Sequence, residues 1–176
     1  MDSIDWPGII RLQGPLVWKT AYRLVGNAED ANDCFQETFA DAVRQSQRQV
    51  VENWPRFLVQ IATRRAIDLL RQRESRQRRQ DAWAEQAIRD QAGHDPSTQA
   101  ADRDLVEHLR EQLADLPEQH ALIFSLRYFQ EWSDNEIAEH LGLKSGNVRV
   151  LLHRIRERLR QRLTEDDSNS KLRTNP

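Results

Sequence analysis

With 176 residues, 38% of them hydrophobic and 31% charged, the chain holds one domain or two small helical ones with lean cores. A net charge of −2 argues against a protein that holds DNA unaided, because phosphate neutralisation supplies most of such affinity. The single cysteine, Cys34, excludes an intramolecular disulfide and a cysteine-rich metal site, and no run approaches the roughly 20 apolar residues of a membrane span.

The N-terminus, MDSIDWPGIIRL, has neither a basic stretch nor a long apolar core, so no signal peptide is expected and the chain reads as cytoplasmic. Residues 5–25 predict two short helices that part near Gly14-Pro15, with Pro15 at a first helical position. Gly26-Asn27 closes this segment. Asn27 offers a cap to a helix over about 28–46, and Asp30 in its first turn suits the positive end of the helix dipole. Ala31, Cys34, Phe35, Phe39, Ala42 and Val43 mark the apolar side, where Cys34 reads as a buried thiol. Asn53-Trp54-Pro55 opens another helix that runs to about Arg73, with Leu58, Ile61, Ala62, Ala66 and Leu69 as its stripe. At ~100° per residue, Gln60, Arg64 and Arg71 cluster away from that stripe.

Residues 74–101 are rich in Gln, Arg and Ala and are punctuated by Gly93 and Pro96. They predict a flexible or partly helical linker. Helical periodicity returns from Asp102 with Leu105, Val106, Leu109, Leu113 and Leu116. Pro117 then opens a helix that turns Leu122, Ile123, Leu126 and Phe129 inward. The tail TEDDSNSKLRTNP is polar and predicted disordered.

Ser133–Leu163 carries the sharpest pattern. Ser133 caps a short helix, and Glu136 three residues on reaches back to the Ser133 amide. Ile137, Ala138 and Leu141 form one apolar edge. Gly142 stands where a helix ends in a left-handed residue. A second run follows with Val148, Leu151, Leu152, Ile155 and Leu159. A short helix, a glycine turn and a longer helix make the helix-turn-helix pattern, whose second helix enters the major groove of DNA.

Charge is segregated along the chain. Up to Asp41, seven acids stand against three basic residues; between Gly142 and Leu163, seven basic residues stand against Glu157 alone. A solvated helix face is the bland reading of the second run. Six of its seven basic residues are Arg, however, which suits bidentate contact with phosphate or guanine. An acidic front and a basic back imply two different partners, one of them a protein. No nucleophile–base pair, glycine-rich phosphate loop or metal-ligand spacing supports an enzyme or a cofactor.

Two segments together resemble a known family. AEDANDCFQETFADAVR (28–44) with WPRFLVQIATRRAIDLLRQR (54–73), and then residues 116–160, are similar to regions 2 and 4 of the extracytoplasmic-function sigma factors, the smallest members of the sigma-70 family. The resemblance implies an all-α chain of two small helical domains. A region 2-like bundle would occupy 1–75, a flexible linker 76–101, a region 4-like helix-turn-helix 102–163 and a disordered tail 164–176. It implies a promoter-specificity subunit of bacterial RNA polymerase. Region 2 docks on the β′ coiled coil and reads the −10 element; region 4 sits on the β flap and reads the −35 element. An anti-sigma factor is a further implied partner, and membrane insertion is not.

Residue by residue, Asp33, Gln36 and Glu37 lie at i, i+3 and i+4, an acidic patch fit for a basic partner helix or simply for water. Seven arginines between Arg64 and Arg79 against two acids suit a DNA backbone. The candidate DNA contacts are Trp54, Gln60, Arg64 and Arg71 in region 2, and Lys144, Ser145, Asn147, Arg149, His153 and Arg154 in the recognition helix. Trp54 and Phe57 each fit two roles, stacking on a flipped base or packing in the core. Arg64 stands where the family usually has Asn, and Val150 and Leu151 where it commonly has Ser and Arg. The family's −10 and −35 sequences therefore do not transfer to this chain. A conventional regulator with a LuxR-like helix-turn-helix and a helical effector domain is the alternative, opposed by the 28–73 segment.

Overall fold

The computed structural model describes the backbone of residues 4–87 and 98–173 and the side chains of 4–80 and 106–162. Seven helices and no strand occur among these residues, in accord with the all-α expectation. They fall into two compact units, Met1–Leu116 and Pro117–Pro176.

Unit 1 holds α1 (Trp6–Val25), α2 (Ala28–Ser46), α3 (Trp54–Ala87) and α4 (Thr98–Ala114). Asp5 caps α1 by accepting from the Gly8 amide at 3.0 Å. Gly26 ends it at φ 81°, a left-handed conformation that costs glycine least, and returns its N–H to the Tyr22 carbonyl. The break expected at Gly14-Pro15 is absent: α1 runs through Pro15. Proline inside a helix costs ~3 kcal/mol. Burial of Val17, Thr20, Ala21, Leu24 and Val25 in the turns that follow offsets it. Asn27 caps α2 as the sequence predicts, accepting from the Asp30 amide at 2.9 Å.

Helices α1, α2 and α3 pack pairwise around Val17, Phe39, Ala42, Phe57, Leu58, Ile61 and Ala62, with Trp6, Ile9, Phe35, Val51 and Trp54 partly buried against them. Helix α3 continues fourteen residues past the expected end at Arg73, to Ala87. Arg, Gln, Glu and Ala are strong helix formers, and Arg78 donates to Glu74 at 2.8 Å across one turn. So 76–87 of the expected linker is helix, 98–101 begins α4, and 88–97 lies outside the described residues. Helix α4, which the sequence groups with the second half, packs on α3 within unit 1, and the division falls between Leu116 and Pro117.

Unit 2 holds α5 (Glu118–Tyr128), α6 (Asp134–Leu141) and α7 (Ser145–Arg173). The Ser133–Glu136 capping box forms in full, with the Ser133 amide on Glu136 Oε2 at 2.9 Å and the Glu136 amide on Ser133 Oγ at 3.2 Å. Gly142 takes φ 65°, and the Leu143 amide closes the turn on the Ala138 carbonyl at 2.8 Å. Leu122, Ile123 and Leu126 of α5 are buried, as are Ile137 and Ala138 of α6 and Val148, Leu152, Ile155 and Leu159 of α7. Each buried Val, Leu or Ile among them contributes about 1.5–3 kcal/mol. Phe129, expected inward, is half-buried at the end of α5. The tail expected to be disordered continues α7 through Arg173; 174–176 lie outside the described residues.

Candidate nucleic-acid interface

The acidic patch of unit 1 is built on α2. Asp33, Gln36 and Glu37 are exposed on one side, while Ala31, Cys34, Thr38 and Phe39 on the other are buried. Beside it lies a shallow cavity of about 340 Å³, lined by Asp33, Cys34, Glu37, Arg65, Asp68, Leu69 and Gln72. Arg65 of α3 spans the gap. Its Nε donates to Asp41 Oδ2 at 2.5 Å, and its Nη2 lies 3.9 Å from Glu37 Oε2. Arg44 also holds Asp41. Burial opposes charge on Asp41, but the bonds from Arg44 and Arg65 outweigh it and lower the carboxyl below its ordinary range. Cys34 is 2% exposed; burial, and then the Asp33 carboxylate, push its thiol up to about 11.

The basic side of unit 1 divides. Arg64 is exposed and Gln60 half-exposed on the α3 face away from the core. Arg71, expected on the same face, is turned onto protein. Its Nε and Nη2 donate to the carbonyls of Ala114 and Leu116 at 3.2 and 2.9 Å, and its Nη1 lies 3.6 Å from Asp68. Of the two aromatic candidates, Phe57 is core at 8% exposure. Trp54 is half-buried, edge-on to Trp6 at 5.3 Å and to Phe57 at 6.0 Å, with part of its surface outward.

In unit 2, Lys144, Asn147, Arg149, His153 and Arg154 are exposed, and Ser145 is half-buried at the first position of α7. At ~100° per residue the face opposite the buried Val148–Leu152–Ile155 stripe centres on Val150, with His153 and Arg154 beside it. Asn147 and Arg149 flank that centre on opposite sides. Arg149 Nε lies 3.7 Å from Asp134 Oδ2 of α6, and Arg127 Nε reaches the other oxygen of Asp134 at 3.7 Å. Arg149 keeps 78% of its side chain exposed, so this loose pair leaves it able to swing toward a ligand.

Sequence reasoning passed over Asp41 and Arg65. The Asp41–Arg44 spacing of three hints at the first pair, but nothing local joins residue 41 to residue 65. Among the described residues, no cluster of His, Cys, Asp and Glu is placed to hold a metal ion.

The sigma-70 region 2 family model matches residues 9–77, and the sigma-70 region 4 model matches 107–159. The ECF RNA polymerase sigma factor SigE of Mycolicibacterium smegmatis is 32% identical over 168 residues, covering 94% of this chain and 64% of that protein. SigL of Mycobacterium tuberculosis, also an ECF RNA polymerase sigma factor, is 30% identical over 155 residues, 85% of this chain and 84% of its own length. This chain belongs to the extracytoplasmic-function sigma factors. The solved chain of the sigma factor RpoE, from its complex with the anti-sigma factor NepR of Bartonella quintana, aligns at TM-score 0.49 and 19% identity, over 92% of this chain and 98% of that one. In this sigma factor the region 4 match begins inside α4, so its first ten residues belong by packing to unit 1. No described helix of the sigma factor is long and apolar enough to cross a membrane.

Proposed function

We propose that this sigma factor binds the core of bacterial RNA polymerase and directs transcription initiation by reading −10 and −35 promoter elements. One observation carries the reading: a region 2 helix that exposes Asp33, Gln36 and Glu37 together, in the same chain as a helix-turn-helix whose second helix exposes Asn147, Arg149, His153 and Arg154. The acidic patch takes a basic polymerase helix, the β′ coiled coil of the family. Unit 2 takes the β flap and the −35 duplex. Trp54, Gln60 and Arg64 face the −10 strand, with Arg71 available when it leaves α4.

Region 2 function is assigned to residues 1–75 and region 4 function to 102–163, with α4 belonging to the second by sequence and to unit 1 by packing. The role is non-catalytic, cytoplasmic and free of cofactors, and an anti-sigma factor that covers these surfaces is part of the proposal. Run-off transcription with core enzyme on genomic fragments tests it. Discrete transcripts that require the chain are expected. Their absence, together with no capture of core, overturns the reading; tight sequence-specific binding by the free chain at physiological salt supports the LuxR-like alternative.

A further inference from the structure

Four arginines of unit 1 close two helix ends. Arg73 of α3 and Arg110 of α4 donate to the carbonyls of Val25 (3.0 Å) and Leu24 (2.7 Å), the last of α1. At the end of α4, Arg71 takes the Ala114 and Leu116 carbonyls, and Arg78 Nη2 donates to Asp115 Oδ1 at 2.7 Å. Cations are favourable at helix C-termini because the unpaired carbonyls there carry the negative end of the dipole. Gly26 makes room for the arrangement: a Cβ there would collide with the Arg110 guanidinium.

This attachment has an apolar and a polar part. Leu113, Ala114 and Leu116 are buried, while Val106 is 46% exposed. At the end of α4 the polar part is carried by Arg71 and Arg78. The donors that Arg71 and Arg78 place on carbonyls and a carboxylate are those a phosphate accepts through the same planar fork.

We infer that residues 107–116 form an intramolecular latch: Ala114, Asp115 and Leu116 occupy Arg71 and Arg78, and the phosphates of nucleic acid compete for the same two guanidinium groups. The inference rests on the proposed DNA role of Arg71. A closed latch and bound DNA are then mutually exclusive, and each weakens the other by the same factor.

The test uses the full chain and a fluorescein-labelled single-stranded 20-mer in low salt. Asp115→Asn loosens the latch without touching either arginine; Glu52→Gln, which removes an exposed acid elsewhere, controls for net charge. Asp115→Asn is expected to bind the oligonucleotide about 5-fold more tightly than Glu52→Gln, at the lower end of usual couplings between states. Adding the oligonucleotide to the unaltered protein is expected to speed amide hydrogen exchange across 107–116. Equal affinity of the two variants overturns the latch, and so does exchange that stays constant or slows. Arg71→Ala reports separately: no loss of affinity there removes the DNA role of Arg71 on which the competition depends.

Discussion

Phe57→Ala separates core packing from base stacking. The ring retains 8% of its surface and sits among Val17, Phe39, Leu58 and Ile61, with its centroid 6.0 Å from that of Trp54. An aromatic side chain of this kind withdraws about 150 Å² from water, worth about 4 kcal/mol at ~25 cal/mol per Å². Allowing for the cavity left behind, the total cost is ~3–5 kcal/mol. For a unit of this size that lowers its Tm by about 12–20 °C, at roughly 4 °C per kcal/mol. Thermal and urea unfolding of the full chain, followed by circular dichroism and fitted as two transitions, measures the loss. Trp54→Ala, at the half-buried rim of the same cluster, is expected to cost only ~1–2 kcal/mol and to impair promoter melting by the holoenzyme. The reasoning fails if Phe57→Ala costs less than about 1 kcal/mol yet abolishes melting, because the ring would then be serving a base and not the core.

Reversal of Asp33 and Glu37 to Lys weakens binding to polymerase core by ~2–5 kcal/mol with helicity unchanged; a titration against labelled core that shows no loss removes these residues from the docking patch. Arg149→Ala changes which −35 variants the holoenzyme uses, by ~1–3 kcal/mol where the contact is bidentate to guanine. Arg154→Ala weakens all promoters alike and makes the salt dependence shallower; the same uniform loss for Arg149→Ala would mark it as a phosphate contact. The Cys34 thiol, pushed up from 9.0 to about 11 in the fold, contributes stability that is complete below pH 9 and lost as the pH rises toward 11. That rise corresponds to about 2–3 kcal/mol, and urea titrations of Cys34→Ala across that window should lack the decline.

What could be read from the sequence was what neighbours in the chain decide. The caps at Asn27 and Ser133 and the left-handed Gly142 are local hydrogen-bond and backbone problems, and each forms as expected. The stripes on α2 and α7 are a single-helix period, and the exposed sides of both carry the candidate contacts. The helix through Pro15 was hidden because its support comes from residues that pack far from it in sequence. The extension of α3 was hidden because its composition suits a solvated helix and a linker equally. Arg71 was the least legible site residue: rotation about the helix put it on the DNA side, and a helix end more than forty residues away claimed it.

The length of α3 carries a consequence for how such a chain can vary. Arg71 and Arg78 stand seven residues apart, which at ~100° per residue brings them back within about 20° of one another. They share one side of the rod because nothing interrupts the winding between them. Substitutions along the outer side leave that phase untouched. A single inserted codon before position 71 would turn every later side chain by about 100° and advance it ~1.5 Å, taking Arg71 away from the carbonyls and Arg78 away from the Asp115 carboxylate they hold. This stretch of the gene should therefore accept point changes on its outer side while rejecting insertions and deletions, since even seven added residues restore the phase but shift the arginines ~10 Å along the axis.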